Sequence, residues 1–224
     1  MTFSIVARCA ETNMFGVAVS SSSPAVAARC AYARAGVGAV ASQNITDPTL
    51  GTRGLGLMAL GASAPDAVAI LKATGKHIGY RQVLAVDAAG RCAIHSGANV
   101  LGTHAEASAE NVASGGNLLA NPGVPQAIVD GFVGATGHLG DRLIAAMRAA
   151  IAAGGEEGPV HSVGMKLVDQ VPWPVADLRV DWSDDCPIET LAHLWDIYKP
   201  QLDAYVTRAL DPTAAPSYGV PGDE

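Results

Sequence analysis

The sequence predicts a four-layer α+β fold in which two β-sheets are stacked face to face between two layers of helices. Three observations predict it. Residues 2–7 (T-F-S-I-V-A) alternate with period two from the second residue onward, so the chain enters a strand at once. Turn formers at Glu11, Thr12 and Asn13, and again at Ala88-Ala89-Gly90, join strands that are neighbours in sequence, which marks hairpins rather than crossovers. The resulting order, hairpin, strand, helices, hairpin, helices, strands, helix, does not alternate βαβα and argues against a doubly wound parallel sheet.

In the first strand Phe3, Ile5 and Ala7 share one face, and Thr2, Ser4 and Val6 the other. Gly16 opens the partner strand over 17–20, and a serine cluster at 20–23 ends at Pro24. After an alanine-rich stretch, residues 36–42 (G-V-G-A-V-A-S) make a third strand that ends on Gln43 and Asn44, with glycines that allow close backbone approach. Ser63 and Asp66 cap a helix carrying Ala67, Val68, Ile70 and Leu71, which Gly75 stops. Residues 80–87 and 91–95 form the second hairpin, which ends at His95-Ser96-Gly97. Gly115-Gly116-Asn117 reads as a loop. Helices follow over 125–133 and 138–153, the second striped by Leu143, Ile144, Met147 and Ile151 and stopped by Gly154-Gly155. Strands are expected at 161–168 and 175–181. Ile188, Leu191, Leu194, Tyr198, Leu202, Tyr205 and Ala209 then fall at steps of three and four, on one final helix of about six turns. The expected organisation is one domain over residues 1–210 with an extended tail over 211–224.

Apolar residues make up 49% of the 224-residue chain and charged residues 16%, the balance of a packed domain rather than a disordered one. Apolar runs break well before the roughly 18 residues of a membrane span. The net charge of −7, with 14 Lys and Arg residues scattered outside any basic stripe, speaks against nucleic acid. The start Met-Thr-Phe-Ser lacks a secretory pattern, so a cytoplasmic protein is expected, its four separated cysteines being free and mostly buried thiols. The expected partner is a small-molecule substrate, with no nucleic acid and no membrane. The apolar last helix and proline-rich tail suggest a homodimer.

Chemistry points first to Thr2. Removal of Met1 would leave a hydroxyl and a free α-amine on one residue, and an amine with a pKa near 8 can take the hydroxyl proton at neutral pH. Asn44, after the third strand, and Asn117, in a glycine-permissive segment, are amides able to donate to a developing oxyanion. Arg53, between Thr52 and Gly54, can clamp a carboxylate, and His95 at a strand end can act as acid, base or donor. Arg81 and Gln82 read as edge solubilisers. No H-E-x-x-H spacing, phosphate-binding loop or dinucleotide fingerprint is present, so no metal and no cofactor is expected, and Asp184-Asp185 reads as a helix cap.

The segments T-F-S-I-V-A-R at 2–8, G-V-A-V-S at 16–20 and A-R-A-G-V-G-A-V-A-S-Q at 33–43 resemble those of a bacterial family, the domain-of-unknown-function family numbered 1028. The resemblance continues through G-T-R-G-L-G-L at 51–57, Arg81-Gln82, Val86-Asp87, His95-Ser96-Gly97, Gly116-Asn117 and the ending A-P-S-Y-G-V-P-G-D-E. It implies the αββα sandwich of the N-terminal-nucleophile hydrolases and suggests amide-bond cleavage. Proteasome-like members of that superfamily place an Asp after the second strand and a Lys near the third. Here Ser22 and Arg34 lie nearest those places, so the charge network is missing or rebuilt, and both residues are expected beside the substrate.

The combined expectation is a cofactor-independent hydrolase of small C–N bonds. Thr2 is its nucleophile once Met1 is removed, Asn44 or Asn117 helps the oxyanion, and Arg53 and His95 position substrate. The alternatives are a binding protein that keeps the scaffold without the chemistry, and a different nucleophile such as Ser4, Ser22 or Cys9.

Overall fold

The computed structural model describes residues 1–220; residues 221–224, the end of the expected tail, lie outside the described residues. Strands β1 (Thr2–Arg8), β2 (Phe15–Ser21), β7 (Ala105–Ala109), β8 (Val112–Asn117), β9 (Ser162–Val168) and β10 (Ala176–Val180) form a six-stranded sheet in the order β10-β9-β2-β1-β8-β7. Strands β3 (Ala31–Arg34), β4 (Gly38–Asn44), β5 (Arg81–Asp87) and β6 (Cys92–Ser96) form a four-stranded sheet in that order. Every pairing in both sheets is antiparallel. The helices are α1 (Ala27–Cys30), α2 (Pro48–Ala59), α3 (Ala64–Thr74), α4 (Val124–Gly134), α5 (Leu139–Ala152), α6 (Pro187–Tyr198) and α7 (Leu202–Leu210).

The period-two pattern produces the layers. Phe3, Ile5 and Ala7 pack with Phe132, Leu143, Met147 and Trp195, which puts α4, α5 and α6 on the outer face of the six-stranded sheet. Val6, Val17 and Val19 meet Ala39, Ala41, Leu84 and Val86 between the sheets. Val40, Val83 and Ala85 turn outward onto Leu50, Leu55 and Leu71 of α2 and α3. The result is the αββα sandwich that the element order predicts.

Several elements depart from the sequence reading. The alanine-rich stretch before the third strand contains α1 and the edge strand β3. Helix α2 occupies residues whose glycines lower helix propensity. Packing requires them: a Cβ on Gly51 would stand 2.1 Å from the Tyr32 ring, and one on Gly54 3.3 Å from Val40, so the glycines let α2 lie close against the sheet. Its start is marked by Pro48 and by Asp47, whose side chain accepts from the Thr49 N–H.

Gly115, Gly116 and Asn117 are the end of β8, not a loop, and are held in place by pairing with β1 from Thr2↔Asn117 to Ala7↔Val112. The last helix is broken by a 3₁₀ turn over Lys199–Gln201 containing Pro200, which cannot continue the hydrogen-bond ladder. The tail folds back: Arg208 Nη2 donates to the Pro216 carbonyl at 2.9 Å, and its guanidinium lies 3.8 Å from the Tyr218 ring centre. Asp184 accepts from the Trp182 indole at 3.2 Å instead of capping α6, which starts without a side-chain cap. Cys9 and Cys30 are buried free thiols, Cys92 is half-buried and Cys186 exposed. Among the described residues no helix is long and apolar enough to cross a membrane.

The packing of α2 separates two glycines of the same helix. Alanine should gain roughly 1 kcal/mol in helix propensity at either site, and at Gly56, where nothing lies within 4 Å of an added Cβ, that gain should appear as stabilisation. At Gly51 the Tyr32 ring should reverse the sign, with Gly51→Ala destabilising by roughly 1–3 kcal/mol. Urea unfolding midpoints of the two variants check this, and equal shifts would refute the close packing of α2 on Tyr32.

Candidate functional site

One end of the space between the sheets is polar. The register places Thr2 opposite Asn117 and Phe3 opposite Ser20, so Thr2 and Ser21 are neighbours where β1 begins and β2 ends. Ser21 is opposite Ser162 at the start of β9. Alternation turns Thr2, Ser4, Ser21 and Asn117 toward the four-stranded sheet, which presents Gln43, Gln82 and Ser96 in return. Thr2 is 6% exposed, and Ser4, Ser21, Gln43 and Gln82 are fully buried.

The amides link the two sheets. Gln43 Nε2 donates to Gln82 Oε1 at 2.7 Å and to the Gly115 carbonyl at 3.1 Å. Gln82 Nε2 donates to Ser96 Oγ at 2.8 Å and to the Gly116 carbonyl at 3.3 Å, and Asn117 Nδ2 donates to Gln82 Oε1 at 3.5 Å. Ser4 Oγ, Gln43 Oε1 and Asn117 Oδ1 are buried and have no partner among the described residues. Such orphans cost on the order of 1–3 kcal/mol each, and these three oxygens lie at one end of the sandwich.

The Thr2 hydroxyl donates to the Met1 carbonyl and lies 3.4 Å from Ser21 Oγ. Ser21 Oγ donates to the same Met1 carbonyl at 2.5 Å and sits 2.8 Å from Ser23 Oγ. Arg29 Nη2 in turn donates to Ser23 Oγ at 2.7 Å. Two hydroxyls therefore converge on one carbonyl oxygen, and a guanidinium stands behind one of them.

The site also holds a carboxyl that sequence reasoning missed. Glu156 follows Gly154 and Gly155, both at positive φ, and is 4% exposed. Its two oxygens accept from the Ser22 N–H at 3.1 and 3.3 Å. Burial pushes its carboxyl up from the ordinary value of 4.5 to about 7, against the pull of the chain's N-terminal ammonium, the Ser22 N–H and His161. His161 donates its own N–H to the Ser21 carbonyl at 2.9 Å, and its ring stacks on Trp182 with centroids 4.3 Å apart. A cleft of about 290 Å³ lined by Ile151, Glu156, Gly158, Pro159 and Asp184 opens here. In sequence Glu156 and Glu157 look like solvated loop charges, and no pattern distinguishes the buried one.

Of the residues expected at the site, Thr2, Asn117 and Ser22 come together, Ser22 through its backbone. Asn44 lies at the same end but is spent: at φ +70° its amide donates to the Tyr80 carbonyl at 2.7 Å and accepts from Leu101 N–H at 3.2 Å. Arg34 is exposed at the opposite end of the hairpin, paired with Gly38, about 20 Å along β4 from Asn44. Arg53 is on the outer surface of α2, donating to Thr74 Oγ1 at 2.8 Å. His95 faces the helical side, with Nε2 3.3 Å from the Ile78 carbonyl, while its neighbour Ser96 faces the site. Gln82, read as an edge solubiliser, is the hub of the buried amide network.

A carboxyl whose pKa is raised by folding favours the native state when protonated, so its contribution is full below pH 4.5 and is lost as pH rises to about 7. Glu156→Gln removes that titration. The variant should gain stability over the parent between about pH 5 and about pH 8, by up to roughly 3 kcal/mol in denaturant titrations. Parallel pH profiles would refute the assignment.

The chain is similar to a DUF1028 protein from Silicibacter pomeroyi in its crystal structure, with a TM-score of 0.82 and 27% identity over 88% of each chain. It is also similar to Anbu (ancestral beta-subunit) from Yersinia bercovieri, at a TM-score of 0.41 and 10% identity over 91% of this chain and 97% of that one. No curated protein matches. The family model described as "Family of unknown function (DUF1028)" matches residues 2–191, and the chain belongs to that family.

Proposed function

We propose that the chain, once Met1 is removed, hydrolyses a small amide bond with Thr2 as nucleophile and the Thr2 α-amine as base. The observation that carries this reading is the position of Thr2. Its hydroxyl lies at the first residue of a strand paired on both sides, at the polar end of the space between the sheets. A residue so placed has its backbone fixed by the ladder and its hydroxyl turned between the sheets, which is the placement an activated nucleophile needs.

In the proposed reaction the α-amine takes the Thr2 hydroxyl proton while the oxygen attacks the amide carbon. The C–N bond breaks as the amine returns that proton to the leaving nitrogen, and water then hydrolyses the acyl ester by the reverse use of the same base. Glu156, near the N-terminal charge, would hold the α-ammonium between these steps. A second reading, a binding protein on the same scaffold, is supported by the orphaned acceptors Gln43 Oε1 and Asn117 Oδ1, which suit a ligand rich in N–H groups.

The experiment uses protein produced to begin at Thr2 and a panel of small amides and ureido compounds, with release of amine or ammonia measured. Thr2→Ala is expected to lower turnover by at least roughly 10³-fold without a change in unfolding midpoint. Full activity in Thr2→Ala would sink the hydrolase reading. Thermal stabilisation of both proteins by a panel member, without turnover, would favour the binding protein.

A further inference from the structure

We propose that the oxygen position now taken by the Met1 carbonyl is the carbonyl seat of the mature site, and that Ser21, oriented by Ser23 and Arg29, is its oxyanion donor. This rests on Thr2 acting as the nucleophile. The ligand class is a carbonyl compound, an amide or an ester, whose oxygen takes the place that the Met1 oxygen leaves.

The hydrogen-bond polarity of the serine chain carries the inference. A hydroxyl has one proton to donate and two lone pairs to accept with. Arg29 has donors and no acceptor, so its bond to Ser23 Oγ runs one way. The Met1 carbonyl can only accept, so the single Ser21 proton is on that bond and the 2.8 Å Ser21–Ser23 contact takes its proton from Ser23; the Ser23 N–H donates to the same Ser21 oxygen at 3.1 Å. With both lone pairs of Ser21 filled, its proton points at the carbonyl oxygen of Met1. Removal of Met1 leaves that donor aimed into the site beside the Thr2 hydroxyl.

The chain is also anchored where it starts. Arg29 Nη1 donates to the carbonyls of Pro24 at 2.7 Å and Ala25 at 3.0 Å, and Ser162 Oγ donates to the Ser23 carbonyl at 2.6 Å. Preorganised donors of this kind stabilise developing negative charge without reorganising, and successive donation from a guanidinium strengthens the last bond of the series. The asparagines are less suited to the role. The Asn117 amide nitrogen is directed at Gln82 and its unpartnered atom is an oxygen, which would repel an oxyanion. The Asn44 amide is bonded to Tyr80.

The test uses protein beginning at Thr2 and p-nitrophenyl acetate as the probe. Attack by Thr2 Oγ, whose proton passes to the Thr2 α-amine, forms the acetyl ester, breaks the aryl ester bond and releases nitrophenolate, read by absorbance. The acetyl group, which can pass from the Thr2 oxygen to the adjacent α-amine, is read by mass spectrometry of the N-terminal peptide, with Thr2→Ala as the control for direct acylation of that amine. The parent is expected to acylate, Ser21→Ala to acylate roughly 10²–10³-fold more slowly at saturating probe with its half-saturation little changed, and Arg29→Gln to be intermediate. Ser23→Ala leaves Ser21 in place and removes only its orientation, so it reads the chain if Ser21→Ala does not fold. Acylation of Ser21→Ala or Ser23→Ala at the parent rate overturns the donor assignment alone. A parent that is not acylated on Thr2 overturns the nucleophile reading as well, and the two failures are distinguishable.

Discussion

Strand β1 is hydrogen-bonded on one side to β2 and on the other to β8, and both of its faces are covered, one by the helices α4 and α5 and one by the second sheet. A strand with no free edge and no exposed face has a register that cannot slip, because a one-residue shift would exchange Phe3, Ile5 and Ala7 with Thr2, Ser4 and Val6. Residue 2 is therefore held at the end of the strand, with its hydroxyl between the sheets. The serine at the end of β2, the asparagine at the end of β8 and the serine at the start of β9 are held in the same row by the same ladder.

The contents of the inter-sheet layer change along its length. At one end valine, alanine, leucine and phenylalanine fill it, which gives the sheets their adhesion. At the other end serines, glutamines and an asparagine replace them, and three buried oxygens go without partners. Burying unpaired polar atoms is unfavourable, so the polar end is sustained by the apolar end and by the two helical layers. Glu156 adds a carboxyl pushed up to about 7 by burial, so the region contains a group that titrates near neutrality. Perturbed titration together with orphaned polar atoms is the usual physical sign of a site rather than of a scaffold.

Much of the fold was legible. The alternation of residues 2–7 predicts the faces that β1 presents, and the Ser63 cap, the Gly90 turn and the Gly154-Gly155 stop all sit where the chain changes direction. The misses at the glycine-rich segments share one cause. Gly51, Gly54, Gly115 and Gly116 have poor intrinsic propensity, and their structure is imposed by neighbours distant in sequence, Tyr32 for α2 and β1 for β8. The candidate site was less legible. Thr2 and Asn117, singled out by position, and Ser22, singled out as nearest the aspartate place of the resemblance, lie at the polar end, whereas Arg34, nearest its lysine place, and Arg53 and His95, chosen by chemical type, lie on other surfaces. Gln82, Ser21 and Glu156 carry no sequence mark of burial, because nothing local distinguishes a buried polar side chain from a solvated one.

By itself the sequence determined the layer order and which side chains of the first strand share each face, since period and turn chemistry are local properties of the chain. It also determined that a hydroxyl residue begins the first strand. Only the tertiary structure decided which residues share that end of the sandwich. Ser21 from β2, Glu156 from the loop after α5, Asn117 from β8 and Gln82 from the other sheet are brought together by strand pairing and sheet stacking. Those contacts join residues far apart in the chain, and their geometry is set by the packing of the whole sandwich rather than by any one segment of it.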